Sequence, residues 1–241
     1  MTDARGVGLA IFVKTPALSP VKTRLQTRIG KHGAEAFHLA AAEAVASVAL
    51  QAQAQMNLTA YWAVAEPDAT QNNTWCDLPT LVQEAGSLGE RMNSIYRQLR
   101  QCHRAAILIG ADAPQISAPQ LLGAAGWLDA AEPRLAIGRA LDGGFWLFGG
   151  NVELPSSAWT DVAYSTPTTG MDFVAAMRSN GEWLELEALG DVDTFDDFAP
   201  VRDAIFALPA PTPAQQRVAA WMSDLMQREQ LHDLQSELVS P

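Results

Sequence analysis

The sequence predicts a three-layer α/β/α sandwich on a mostly parallel, twisted sheet, and three observations carry that expectation. Short apolar runs rich in Val, Ile, Ala and Leu alternate with longer segments of helical period along most of the chain. The first run, Val7–Val13, is almost continuously apolar, as a strand covered on both faces must be. Several runs end in loops carrying Lys, Asp, Gly or Pro, at the strand ends where open parallel sheets bind ligands. At 241 residues, 48% hydrophobic and 18% charged, the chain suits one large globular domain.

After the first strand, Lys14-Thr15-Pro16 opens a loop that runs to Pro20. Helical segments follow over 21–29 and 33–54, separated by Gly30. Leu58–Val64 alternates and carries Tyr61 and Trp62, a second strand; 68–77 reads as loop or short helix and 80–83 as a short strand. Gly86 and Ser87 introduce a helix over 88–101. The run 105–109 ends at Gly110, and Ser117 caps a helix over 119–130. Strands over 134–139 and 145–148 flank Leu141-Asp142-Gly143-Gly144, and Ser165 or Thr166 caps a helix over 167–179. A last strand over 183–186 precedes Asp191-Val192-Asp193-Thr194, which opens a helix to about Ala207.

The domain is therefore expected to span 1–207. Beyond Pro209, Pro211 and Pro213, residues 208–241 read as an amphipathic helical extension. Its stripe is Val218, Trp221, Met222, Leu225 and Met226, then Leu231, Leu234 and Leu238. The stripe slips between Met226 and Leu231, which argues against a continuous coiled coil. Packing back on the domain and a homodimer contact are its two uses.

A net charge of −11 disfavours a general nucleic-acid surface. Yet all three lysines, Lys14, Lys22 and Lys31, lie in the first 31 residues with Arg5, Arg24 and Arg28, against Asp3 alone. Six positive charges and one negative make +5, the expectation for a small anion site, with a solvated basic helix face as the equal alternative. Cys76 and Cys102 have no CxxC spacing, and residues 1–8 lack a signal-peptide pattern, so a cytoplasmic setting is expected. The most apolar helical stretch, 39–50, is broken by Glu43 and falls short of the ~20 residues a membrane span requires. His32, His38, His103 and His232 are scattered, so neither a zinc cluster nor a Ser-His-Asp assembly is visible.

Five segments could carry chemistry together. Lys14 to Arg24 sets Lys14, Lys22 and Arg24 between a strand and a helix start, where backbone N–H groups add to the attraction for phosphate. Asp112, in Gly110-Ala111-Asp112-Ala113-Pro114, offers a hard oxygen at a strand end, suited to Mg²⁺ or Mn²⁺, although an Asp there is more often a helix cap or turn former. Asp191 and Asp193 lie two apart; Asp193 is a second metal ligand or the N-cap of the next helix. Gly143 and Gly144 would let backbone approach a ligand, with Asp142 beside them, although a tight turn explains the same residues. Arg91, in Gly86-Ser87-Leu88-Gly89-Glu90-Arg91, faces the same cleft or solvent.

In chain order, Lys14…Pro16…Val21-Lys22-Thr23-Arg24-Leu25, Leu88-Gly89-Glu90-Arg91-Met92, Gly110-Ala111-Asp112-Ala113-Pro114, Asp142-Gly143-Gly144-Phe145, Ser165-Thr166-Pro167 and Asp191-Val192-Asp193-Thr194 resemble the bacterial family called domain of unknown function 2064. The resemblance covers about residues 8–206. It implies a nucleotide-diphospho-sugar transferase fold, glycosyltransferase-A-like, and a glycosyltransferase activity. The basic loop and the Asp-Val-Asp-Thr ending also look like those of 2-phospho-lactate guanylyltransferases. Three positions depart from the family pattern: Leu18-Ser19 replaces Pro-Gly, and Gln115 replaces a second acidic residue.

The expectation that follows is a metal-dependent glycosyltransferase moving a sugar from a nucleotide diphosphate to an unidentified acceptor. Asp112 and Asp193 would hold Mg²⁺ or Mn²⁺; Lys14, Lys22, Arg24, Arg91, Gly143 and Gly144 would meet nucleotide and phosphates; Asp142 would orient the sugar or act as general base. A nucleotidyltransferase acting on a nucleoside triphosphate and releasing pyrophosphate is the alternative. A non-catalytic nucleotide-binding protein is the third, suggested by Ser19 and Gln115.

Overall fold

The computed structural model describes residues 6–71 and 73–239, with side chains over 6–70 and 73–231. Seven strands form one sheet: β1 (Val7–Val13), β2 (Leu58–Val64), β3 (Thr80–Val82), β4 (Ala105–Gly110), β5 (Arg134–Ala140), β6 (Phe145–Gly150) and β7 (Glu182–Leu189). Their order is β3-β2-β1-β4-β6-β5-β7, and every neighbouring pair is parallel except the two that involve β6. The helices are α1 (Thr23–Gln53), α2 (Leu88–Cys102), α3 (Ala118–Leu128), α4 (Ser157–Thr160), α5 (Thr169–Met177), α6 (Phe198–Phe206) and α7 (Pro213–Val239).

The two-residue period of β1 explains the layers. Val7, Leu9, Ile11 and Val13 face a core shared with Val45 and Ala49 of α1 and Leu121 and Leu128 of α3. Ala10 faces the opposite side, where Ile95, Tyr96 and Leu99 of α2 meet Trp159 of α4 and Phe173 of α5. A third cluster lies outside α1, where Phe37 and Ala41 pack on Phe198 and Ile205 of α6 and Val218 and Met222 of α7.

Burial on two sides accounts for α1. Gly30, at φ 72° and ψ 169°, is non-helical and divides Thr23–Gln53 into two helical stretches across a kink, where the sequence placed the break. By length and apolarity alone the whole span, Thr23–Gln53, could cross a membrane. Its apolar residues are instead divided between the sheet and the α6–α7 layer.

Other boundaries shifted where local pattern is weak. Residues 67–71 and 73–75 form two short 3₁₀ turns, and α4 had no counterpart in the sequence reading. The helix expected from Asp191 begins only at a 3₁₀ turn, Phe195–Asp197, before α6. β7 runs longer than expected because it pairs with β5 along its length.

The amphipathic extension packs back on the domain through Val218 and Met222, with Trp221, Leu225 and Met226 partly buried against the same cluster. Leu231 is exposed, and the Leu234, Leu238 and His232 side chains lie outside the described residues.

Gln215 ties α7 to the loop after β4. Its buried amide donates to the carbonyls of Pro114 (2.8 Å) and Ile116 (2.7 Å), while its oxygen accepts from Thr212 N–H. Gln215→Ala would leave those carbonyls unpaired in the interior, and we expect it to cost about 2 kcal/mol in urea unfolding.

Candidate functional site

Strand order reverses between β1 and β4, so the loops leaving their carboxyl ends diverge and leave a crevice. Register then brings the other loops to the same rim. Phe12 of β1 pairs with Gly110 at the end of β4, so Lys14 and Asp112 emerge side by side. Because β6 is antiparallel, Leu147 pairs with Ile109 and the preceding Asp142–Gly144 turn projects beyond the same end of β4. Ala140 pairs with Leu189, which delivers Asp191 and Asp193 there as well. The result is a cleft of about 800 Å³. Lys14, Lys22, Arg24, Arg91, Asp112, Asp142, Gly144 and Asp193 all line it.

Gly143 does not line the cleft. At φ 95° it turns the β5–β6 hairpin, and its carbonyl accepts from Gly170 N–H at the start of α5 (2.8 Å). Asp142 closes the same turn, its Oδ1 accepting from Gly144 N–H (2.8 Å). Its exposed carboxylate nonetheless lies on the cleft wall.

The acidic residues converge. Ligand oxygens of Asp112, Asp191 and Asp193 lie within 4.8 Å of one another. Asp193 is released from capping because Thr194 and Asp197 form the capping box, with Asp197 Oδ2 accepting from Thr194 N–H (2.7 Å) and Asp193 N–H (3.0 Å). Two ties hold the acidic loops together: Val192 N–H donates to the Asp112 carbonyl (3.1 Å), and the buried Gln115 amide donates to the Gly190 carbonyl. Gln115, a departure from the family pattern, therefore braces the carboxylate loops.

Lys22 reaches into this cluster. Its Nζ lies 3.0 Å from Asp112 Oδ2 and 3.2 Å from Asp193 Oδ1, and its side chain is only 8% exposed. Burial favours the neutral amine, but the two carboxylates outweigh it and hold the ammonium above its usual range. Burial likewise opposes ionisation of Asp112, and Lys22 overcomes it to keep that carboxyl low. Arg24 Nη1 meets Asp193 Oδ2 at 3.2 Å. Asp191 is pushed up to about 6 by burial and by the charges of Asp112, Asp142 and Asp193. The cluster thus carries more negative charge than Lys22 and Arg24 relieve. Three hard oxygen donors in one place fit Mg²⁺ or Mn²⁺, which take a few carboxylates and complete their shell with water or phosphate.

Lys14 and Arg91 form no ion pair among the described residues; Arg91 spends its Nε on the Gly86 carbonyl (2.8 Å). The loop bearing Lys14 is clamped on three sides. His38 Nε2 bonds the Lys14 carbonyl (2.8 Å), Glu66 accepts from Thr15 N–H (2.9 Å), and Trp75 Nε1 donates to Thr15 Oγ1 (2.9 Å). Burial lowers the His38 pKa despite that bond. The Leu18 and Ser19 N–H groups both return to the Thr15 carbonyl, with Ala17 at φ 70°, so the loop turns without the glycine of the family pattern. Every non-glycine residue of positive φ among those described, Ala17, Lys22 and Ser165, is in a loop at this cleft, where backbone strain commonly collects.

The basic N-terminal segment is not one site. Arg28 pairs with Glu229 and lies over Phe195, Lys31 pairs with Glu35, and Arg5 and Asp3 lie outside the described residues. Among the described basic residues of that segment, only Lys14, Lys22 and Arg24 face the cleft. Sequence reasoning passed over Asp191 as a ligand, although its spacing from Asp193 was a usable signal. It also missed His38, Glu66 and Trp75, whose roles depend on contacts distant in sequence.

Residues 37–166 match the profile of domain of unknown function 2064, described as an uncharacterized protein conserved in bacteria. The chain belongs to this family. No curated protein is detectably similar in sequence to this family member. Among solved structures it resembles a candidate nucleotide-diphospho-sugar transferase from Desulfovibrio desulfuricans G20, at 22% identity and TM-score 0.77, covering 92% of this chain and 97% of that one. It also resembles a nucleotidyl transferase from Methanothermobacter thermautotrophicus, at 13% identity and TM-score 0.54, covering 82% and 96%. A third is a CMP:2-keto-3-deoxy-manno-octonic acid synthetase complexed with CTP, at 13% identity and TM-score 0.50, covering 82% and 97%. The fold of this family member is that of the nucleotide-diphospho-sugar transferases, as the sequence resemblance implied.

Proposed function

We propose that the protein is a metal-dependent glycosyltransferase that moves a sugar from a nucleotide diphosphate to an acceptor. The observation that carries this reading is the single rim at which three carboxylates, two paired cations and two unpaired cations line one cleft. Its volume of about 800 Å³ lies within the range of small-molecule sites. Asp112, Asp191 and Asp193 would hold Mg²⁺ or Mn²⁺. When bound, that ion supplies positive charge to the diphosphate that departs.

The chain's own groups divide the remaining work. Lys14 and Arg91, unencumbered by carboxylates, bind the phosphates from two walls. Apolar and aromatic side chains including Phe12, Met92, Trp146 and Tyr164 line the cleft and exclude water. Asp142, steadied by Gly144 N–H, orients the sugar or accepts the acceptor's proton as the bond from sugar to diphosphate breaks and the bond to the acceptor forms.

Nucleotidyl transfer is the second reading, supported by the likeness to a nucleotidyl transferase and to a CTP-bound synthetase. Panels of nucleotide sugars and nucleoside triphosphates with Mn²⁺ distinguish the two by product. A nucleoside diphosphate released from a nucleotide sugar is the expected result. Pyrophosphate from a triphosphate would replace it with the second reading, and nucleotide-induced stabilisation without turnover would leave a binding protein.

A further inference from the structure

Lys22 occupies lone pairs that the metal reading assigns to an ion. Its ammonium contacts Asp112 Oδ2 and Asp193 Oδ1, while Arg24 takes the other oxygen of Asp193, so both Asp193 oxygens already serve cations. A divalent ion bound to those carboxylates at about 2.0–2.2 Å would stand beside a buried ammonium. Two cations so close repel strongly where water is scarce. The backbone under Lys22 is left-handed, φ 46° and ψ 48°, at the N-cap of α1, a conformation a side chain-bearing residue holds only when its surroundings impose it. Arg24, with 75% of its side chain exposed, can yield or remain without rearranging the interior.

We infer that Lys22 is a tethered placeholder for the divalent ion: it holds Asp112 and Asp193 together without the ion and is displaced onto the phosphates when the ion arrives. This rests on the metal reading above. The displaced ammonium stays on its stem in the cleft that Lys14 and Arg91 also line, so arrival of the ion adds a third cation for a diphosphate. Ion and diphosphate therefore assist each other's binding, and linkage makes the assistance reciprocal.

Equilibrium dialysis against Mn²⁺, with inorganic pyrophosphate absent or present in both compartments, tests this on the full chain. Wild-type Mn²⁺ affinity is expected to rise on the order of tenfold with pyrophosphate. Lys22→Met should bind Mn²⁺ alone about tenfold more tightly than wild type and gain little more from pyrophosphate. Its melting temperature should start below that of wild type and rise further on adding Mn²⁺. Lys22→Gln, which keeps a donor for Asp112, serves if Lys22→Met fails to fold. The inference is overturned if these variants bind Mn²⁺ alone no better than wild type or keep the full pyrophosphate effect, while Asp112→Asn abolishes binding. A wild type that takes up no Mn²⁺ under either condition sinks the metal reading itself, and the inference with it.

Discussion

Asp112→Asn is expected to lower Mn²⁺-dependent transfer by at least ~10²-fold and to abolish stabilisation by Mn²⁺. Groups that merely support a metal ligand already cost about 10–100-fold when removed, so losing a direct carboxylate ligand sits at or beyond that limit. The substitution preserves volume and one carbonyl oxygen, so the loop between β4 and Pro114 keeps its shape. It also leaves Lys22 with one carboxylate, Asp193, in place of two. Because Asp112 is 40% exposed, that loss is screened and should cost about 1–2 kcal/mol of folding stability, well below the figure for a fully buried pair. The two effects separate cleanly. A hundredfold loss corresponds to about 2.7 kcal/mol in the barrier and persists far below the melting temperature, where a stability deficit no longer matters. Parallel measurement of turnover and of the Mn²⁺-induced melting shift decides the point: a variant retaining both shows that Asp112 is no ligand.

Gly143→Ala should give the largest stability loss. Residue 143 sits at φ 95°, where an L side chain is strained, and an added Cβ would run into the backbone carbonyl of Pro167, which no rotamer change can move. The turn is further fixed by Gly143 N–H to the Ala140 carbonyl and by Gly170 N–H to the Gly143 carbonyl, so relief by backbone movement would break bonds in both the hairpin and α5. Strain and clash together are expected to cost about 3–4 kcal/mol. For a chain of this size that lowers the melting temperature by roughly 6–16 °C. Gly144→Ala is the control, since its Cβ would meet only the Asp142 carboxylate, at 3.2 Å, on a side chain that can yield. Equal melting of Gly143→Ala and wild type would show that the hairpin can be rebuilt without this glycine.

The site was legible where chemistry and strand ends coincide in the chain. Lys14 and Asp112 follow apolar runs and the Asp191–Asp193 pair follows the last strand, so the rule that loops at carboxyl ends converge was enough to group them. Asp142 and Gly144 joined the group only because β6 runs antiparallel, a pairing that the sequence pattern of alternating runs does not specify. The assignment of Gly143 to the ligand failed for a related reason. Asp-Gly-Gly is compatible with a turn and with a binding loop, and the contact with Pro167 that separates them is formed across 24 residues of chain.

By itself, the sequence determined the α/β class, the apolar β1, the break at Gly30, the amphipathic character of α7 and the residue types at the rim. Each of these follows from local period, turn chemistry or composition, which act over a few residues. Tertiary structure alone decided that Lys22 lies against Asp112 and Asp193, 90 and 171 residues away. It decided equally that Thr194 takes the cap and frees Asp193, that Gln115 and Gln215 brace the Asp112 loop, and that Arg28 and Lys31 turn away from the cleft. The physical reason is that a charge's role depends on which opposite charge comes within a few ångströms and on how much water remains between them, and strand register and helix packing fix both.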